Sequence, residues 1–337
     1  NDQLEEQPIT NVEEDITKEV NLGVAEYDTI NPLLSNNKQI QELTKIIYEP
    51  LLQLDSEYKI ENCLAKDWAK VSEKMYLIKL DDTAQWSDGS KINASDVLFT
   101  IQTLKNINSI YSENVKNILE VIKVDDTTIR IILDQDIPFF EYNLIFPILC
   151  QKNYEGQEFT TSAVNTAPLG TGKYKIVQNT ESTITLEKNE NYKKEESIIE
   201  KITISKYSNL GELYNAFKLG KIDLITTNNI GIENYIGTIG YNKYESNGRE
   251  FDYLAINTNS SIVSYKEVRQ AISRAINREN IVSQIYGNKY RVQNYFLDYG
   301  SWLAGTKSDM SYNPDTAREI LQNNGWEFSY GKWRKYI

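Results

Sequence analysis

The stretch that most constrains the fold is 84–106, AQWSDGSKINASDVLFTIQTLKN. Asp88–Gly89 stands between two apolar-containing runs, the signal for a hairpin turn that needs positive φ. Asn93, followed three residues later by Asp96, reads as a helix N-cap with an acidic third position. Val97, Ile101 and Leu104 then recur at helical spacing, with Leu98 on the flank, and Trp86 gives the turn a large apolar anchor. Strand, tight turn and capped helix in so little chain make a structural module, so Trp86, Asp88 and Gly89 are read as structural.

The rest of the chain alternates strands and helices. Residues 20–25 read as a buried strand, and Glu26, Tyr27, Asp28 and Thr29 follow as a polar loop. A helix over 37–48 then carries Ile40, Leu43 and Ile47 on one face and ends at Pro50. That order puts the loop at the carboxyl end of the strand, where ligands collect in open α/β sheets. From 51 to 166 the pattern changes to short strands (75–80, 121–124 and 128–133) with an apolar run at 145–150, an α+β insertion that leaves the first sheet and returns. The return is PLGTGKY (168–174), whose glycines lack the context of a phosphate cradle and read as turn glycines.

Strands follow at 173–178, 183–188 and 201–207, then a helix over 210–219 closed by Gly220. A strand over 222–226 would place Thr226, Thr227 and Asn228 at its carboxyl end, and 251–257 reads as another strand. Ser264 and Glu267 match a capping box for a helix with Val268, Ala271, Ile272, Ala275 and Ile276 as its apolar stripe. Arg269, Arg274 and Arg278 fall on its wetter side. A last helix runs from Asn313–Pro314 through Ala317, Ile320 and Leu321 to Gly325.

Composition removes several functions. The 337 residues contain no histidine, which excludes Ser-His-Asp and Cys-His catalysis and most transition-metal sites. A formal charge of −12 repels nucleic acid and anionic lipid headgroups, and suits a cationic or zwitterionic ligand. No apolar run reaches the roughly 20 residues of a membrane span. Cys63 and Cys150 leave either one disulfide or two buried free thiols, and their apolar neighbours favour the thiols. The 48 acids nominate no glycosidase-like pair by their spacing, and the 23 tyrosines point weakly to ligand binding.

Four stretches in series carry a resemblance: LAKDW (64–68) with QWSDGSKINASDVLFTI; PLGTGKYKIV leading to TLEKNENYKK; FKLGKIDLI; and YLAINTNSS followed by YKEVRQAISRAINRENIV and YNPDTAREILQNNGW. Together they resemble the oligopeptide/dipeptide/nickel-binding family of ABC-transporter solute-binding proteins, family 5. The resemblance implies an α/β fold: a periplasmic-binding-protein-like lobe (type II, cluster C) with a mixed sheet, an inserted α+β subdomain and the start of a second lobe. It divides the chain into a disordered tail (1–19), a first lobe (20–50 plus 167–260), the insertion (51–166) and an incomplete second lobe (261–337). Members of the family usually continue beyond the point where this sequence stops, so a truncation is expected.

The implied function is non-enzymatic: capture of an extended oligopeptide in a cleft at the extracellular face of the membrane, lipid-anchored or secreted, for delivery to an ABC permease. No cofactor and no metal are expected, because nickel- and haem-binding relatives lean on histidine. Alternatives are a degenerate lobe acting as a non-transporting interaction module, or an oligosaccharide binder. Ligand contacts are assigned to Glu26, Tyr27, Asp28 and Thr29, to Tyr111, to Thr226, Thr227 and Asn228, and to Tyr253 and Asn257.

Overall fold

A computed structural model describes residues 18–246, 248, 251–294, 301–303 and 310–336. Of the tail expected over 1–19, residues 1–17 lie outside the described ones, and Glu19 opens the first strand. The chain divides into two compact units, one of residues 1–55 and 60–226, the other of 56–59 and 227–337.

The first unit is built on two four-stranded sheets. Strand β1 (Glu19–Ala25) lies parallel to β10 (Lys201–Tyr207), pairing Glu19 with Lys201 and Ala25 with Tyr207. Beyond β10, β9 (Thr183–Lys188) and β8 (Tyr174–Asn179) continue antiparallel, so the sheet is mixed. A parallel pair needs a long crossover. Here the crossover contains α1 (Lys38–Thr44), the whole insertion and the β8–β9 hairpin, while α4 (Leu210–Lys218) follows β10. Gly23 lets α4 and Tyr207 approach β1: a Cβ there would meet the Tyr207 ring at 2.9 Å and Leu213 at 3.3 Å.

The insertion begins with the small ladder of β2 (Leu52–Leu54) and β3 (Ile60–Asn62). Its antiparallel sheet runs β4-β5-β7-β6, formed by β4 (Ala65–Ser72), β5 (Met75–Leu80), β6 (Ile118–Lys123) and β7 (Thr128–Leu133). Burial alternates along two strands, with Tyr76, Ile78 and Leu80 of β5 and Ile129, Ile131 and Leu133 of β7 turned inward. Helix α2 (Ala94–Asn106) contributes Val97, Ile101 and Leu104, and the short α3 (Ser112–Val115) adds Val115. One apolar body runs from Val24 and Ile40 through Trp86 and Ile131 to Ile184 and Ile204, beneath both sheets.

The turn and the capped helix of the module at 84–106 form as read, while the strands expected to flank the turn reduce to one isolated bridge between Gln85 and Lys91. Gly89 has φ +84, and Trp86 and Ser90 close the turn by an N–H···O bond of 2.8 Å. Asn93 caps α2: its side chain accepts from the Ser95 amide at 2.8 Å, and Asp96 accepts from the Asn93 amide at 2.9 Å. Gly170 and Gly172 differ from their reading as turn glycines. Neither has positive φ; they let two backbones touch, with the Gly172 N–H donating to the Ile47 carbonyl at 2.8 Å.

In the second unit α6 (Lys266–Ala275) packs on α8 (Pro314–Asn323), and Val268, Ala271, Ala317, Leu321 and Trp326 form a small core. The unit also contains α5 (Glu233–Ile236), α7 (Arg278–Ile285) and the hairpin of β11 (Glu327–Ser329) and β12 (Lys332–Arg334). Asn313 caps α8 through the Thr316 amide at 2.9 Å, as its position before Pro314 requires. Among the described residues no helix is long and apolar enough to cross a membrane.

Three expectations fail here for local reasons. No strand forms at 222–226, because the Asp223 carboxylate takes the Asn21 amide at 2.6 Å in place of a ladder carbonyl. No strand forms at 251–257, where no described residue offers a ladder and Tyr253 is 76% exposed. The capping box at Ser264 is absent because α6 starts one residue later than that box requires. Ser264 donates to the Ser261 carbonyl instead, and Glu267 accepts from Trp326 and Lys335. The arginines read as solvated are engaged as well: Arg269 donates to the Val263 and Ser264 carbonyls and Arg278 to that of Gln293.

Candidate functional site

The parallel strands β1 and β10 end side by side, and the Glu26 amide donates to the Tyr207 carbonyl at 3.0 Å. Helix α1 then fixes the chain's exit. Its cap residue Asn37 uses one side chain for two tasks: Oδ1 accepts from the Gln39 and Ile40 amides, and Nδ2 donates to the carbonyls of Ala25 (2.7 Å) and Glu26 (2.9 Å). Glu26 is held at φ +52, in the left-handed region.

Each loop residue has a different fate. The Asp28 carboxylate is fully engaged, accepting from the Thr29 amide (2.6 Å), the Ser35 hydroxyl (2.7 Å) and the Asn36 amide (2.8 Å). Thr29 accepts from the Asn31 amide through its hydroxyl at 3.2 Å. Asn31, fully buried, donates to the Tyr154 hydroxyl and to Asn165, which anchors the loop from below. Tyr27 lies under Lys206, whose ammonium sits 3.9 Å from the ring centroid, and its hydroxyl accepts from Asn179 at 3.3 Å. Burial raises the Tyr27 phenol above its ordinary pKa and lowers that of Lys206. Lys206 also donates to the Asn179 side chain (2.7 Å) and the Thr180 carbonyl (2.6 Å).

The backbone of the loop is unevenly satisfied. The amides of Glu26 and Thr29 have partners, whereas the N–H and C=O groups of Tyr27 and Asp28 have none among the described residues.

The remaining sequence-derived candidates lie on other elements. The Tyr111 hydroxyl donates to Gln41 of α1 at 2.9 Å, and burial pushes its phenol up to about 12. Thr226 ends the first unit in irregular chain, and Thr227 and Asn228 open the second. The Thr227 hydroxyl accepts from the Asn229 amide at 3.1 Å, a turn-forming bond. Tyr253 and Asn257 belong to the second unit, where Tyr253 meets Phe251 and Asn257 accepts from the Asn259 amide. Sequence reading passed over Asn37, Asn179 and Lys206. Only Asn37 carried a local signal, as the polar residue opening the α1 pattern.

A second cluster is structural. Lys194 reaches Glu49 at 2.9 Å and the Cys63 carbonyl at 2.8 Å, and the Cys63 thiol lies 3.5 Å from the Glu49 carboxylate. Both cysteines are free and buried. Burial pushes Cys63 up to about 12 and Cys150 up to about 11, so neither presents a thiolate near neutral pH. Native protein titrated with a chromogenic disulfide reagent at pH 8 is expected to release essentially no colour. Both thiols should react once the chain is denatured, and rapid native reaction would contradict the buried assignment.

Compared with known proteins, residues 59–335 match the profile of the bacterial extracellular solute-binding proteins, family 5. The chain belongs to that family. Its members are described by solute binding and not by catalysis. A Brucella ovis relative, named as an ABC transporter peptide-binding protein, is 23% identical over 292 residues, 83% of this chain and 55% of its own length. The Campylobacter jejuni protein NikZ, solved with Ni(L-His), superposes with a TM-score of 0.68 at 26% identity, covering 94% of this chain and 65% of NikZ. A Clostridium difficile peptide-binding protein, AppA, superposes at 0.72 with 25% identity, covering 90% of this chain and 66% of AppA. The family 5 chain thus spans between about half and two thirds of these relatives. Its mixed α/β architecture is the type II periplasmic-binding-protein-like fold of its structural neighbours.

Proposed function

We propose that this family 5 protein captures peptides outside the cell for an ABC importer, with the loop after β1 as one wall of the ligand groove. The observation that carries the reading is the open backbone of Tyr27 and Asp28. Successive residues of extended chain present their main-chain groups to opposite sides, so one of these two residues supplies the free N–H and C=O pair to which an extended guest adds. Pairing through main chain alone tolerates many side chains, which suits a general peptide receptor.

Relatives bind peptides or nickel, and two features favour peptide here. The chain has no histidine, and among the described residues no group of three or more Cys, Asp or Glu is placed to hold a metal ion. Glu26, Tyr27, Asp28 and Thr29 are proposed as the contact loop, Asp28 acting through its backbone because its carboxylate is already occupied. Tyr111, Thr226, Thr227, Asn228, Tyr253 and Asn257 complete the proposed ligand set. The proposed lobes are 20–50 with 167–260, interrupted by the insertion 51–166, and a second lobe from 261. Closure of these lobes over the guest would present the loaded form to a membrane permease.

Thermal-shift titration with a mixed tri- to pentapeptide pool tests this. Saturation near one hundred times Kd is expected to stabilise the protein by about 2.7 kcal/mol. Methylating one backbone nitrogen of a bound peptide, where it pairs with the loop, should weaken binding by about fivefold, since a main-chain hydrogen bond contributes roughly 1 kcal/mol. Stabilisation by nickel–histidine with no response to any peptide would overturn the peptide reading.

A further inference from the structure

Glu26 combines three features found at no other residue of the loop. Its backbone is held at φ +52, where side chains with a Cβ are strained and glycine is not. The strain is enforced from both sides, by the Tyr207 carbonyl on its amide and by Asn37 on its carbonyl. Positive φ is carried elsewhere by glycine at Gly89, Gly220 and Gly325, and by residues with side chains at Tyr58, Phe139, Asn288 and Tyr330. A glutamate at such a position costs stability that glycine would restore.

Its carboxylate is exposed, and among the described residues it has no hydrogen-bond or ion-pair partner. The other charges nearby are engaged. Asp28 is held by three donors, and the Lys206 ammonium is held by Tyr27, Asn179 and the Thr180 carbonyl. The loop therefore presents one uncommitted negative charge, immediately before the two residues whose backbone is open.

We infer that Glu26 reads a positive side chain on the guest, so that the preferred ligands are peptides carrying a lysine ammonium or an arginine guanidinium beside the paired residues. The inference rests on the peptide reading above and adds to it a ligand class and a specificity residue. A carboxylate–ammonium pair at a groove wall discriminates through charge, and a neutral isostere of the guest side chain loses it.

The test is isothermal titration with the tetrapeptide Ala-Lys-Ala-Lys and its counterpart with norleucine in place of lysine, against the full chain and its Glu26→Gln and Glu26→Gly variants. The lysine peptide is expected to bind the native protein about tenfold more tightly than the norleucine peptide, a single charge-assisted pair. That preference should vanish in both variants, while Glu26→Gly melts at a higher temperature than the native protein because the strain is gone. Equal binding of the two peptides by the native protein overturns the role of Glu26 and leaves the peptide reading standing. Failure of both peptides to bind, together with failure of the mixed pool, overturns both. A lysine preference that survives Glu26→Gln assigns the charge recognition elsewhere and overturns the inference.

Discussion

Gly170→Ala is expected to destabilise the first unit by at least about 3 kcal/mol, the upper range for forcing an added carbon into a packed site. A Cβ built at Gly170 would lie 2.1 Å from the Ile47 carbonyl oxygen and 2.9 Å from its Cγ2. The clash is with backbone, so no side-chain rotation relieves it. The two chains must part, at the cost of the Gly172-to-Ile47 and Tyr174-to-Ile46 hydrogen bonds that fasten the returning segment to the end of α1. The Ser87 amide would also lose the Gly170 carbonyl it holds at 2.9 Å. Urea denaturation of the variant beside Gly156→Ala separates close approach from backbone conformation. Gly156 has φ +70 but nothing within 4 Å of its added Cβ, so its variant should lose only about 1 kcal/mol. Equal losses in the two variants would sink the close-approach account.

Trp86→Ala is expected to cost about 3–5 kcal/mol, the range for removing a large buried aromatic side chain. The indole is 1% exposed within the apolar body, and its N–H donates to Asp96 at 3.4 Å. Asp96 is itself buried and ties three elements together through the indole, the Asn93 amide and the Gln151 amide. Trp86→Phe separates the two contributions. It keeps most of the apolar volume and removes one donor, leaving Asp96 two strong amide bonds, so a loss of about 1 kcal/mol is expected. A Trp86→Ala variant that unfolds at the native urea midpoint would mean that the indole does not organise this module.

Sequence was informative wherever structure depends on nearby residues. The Asn93–Asp96 cap, the Asn313–Pro314 helix start and the alternating strands β5, β7, β9 and β10 each follow from spacing within a few positions. The family followed from four such stretches standing in order, and the profile match bears it out. Reading failed where a side chain from far away replaced a backbone partner. Asp223 satisfies Asn21 across 202 positions and thereby dissolves the strand expected after Gly220. Gly170 and Gly172 look like turn residues because the neighbour that requires them, the end of α1, is more than a hundred residues earlier in the chain. The candidate site divides in the same way. Residues 26–29 were visible from the strand-end rule, whereas Asn179, which meets Tyr27 across 152 positions, carried no local mark.

The apolar body shared by the two sheets of the first unit has no internal seam. Trp86 and Ile131 of the insertion and Val24 and Ile204 of the β1 sheet belong to one continuous interior. The region from 51 to 166 is therefore not a graftable cassette. Excising it to make a minimal receptor would strip the floor from the strands that carry the Glu26 loop, and transplanting it alone would leave half an interior facing water.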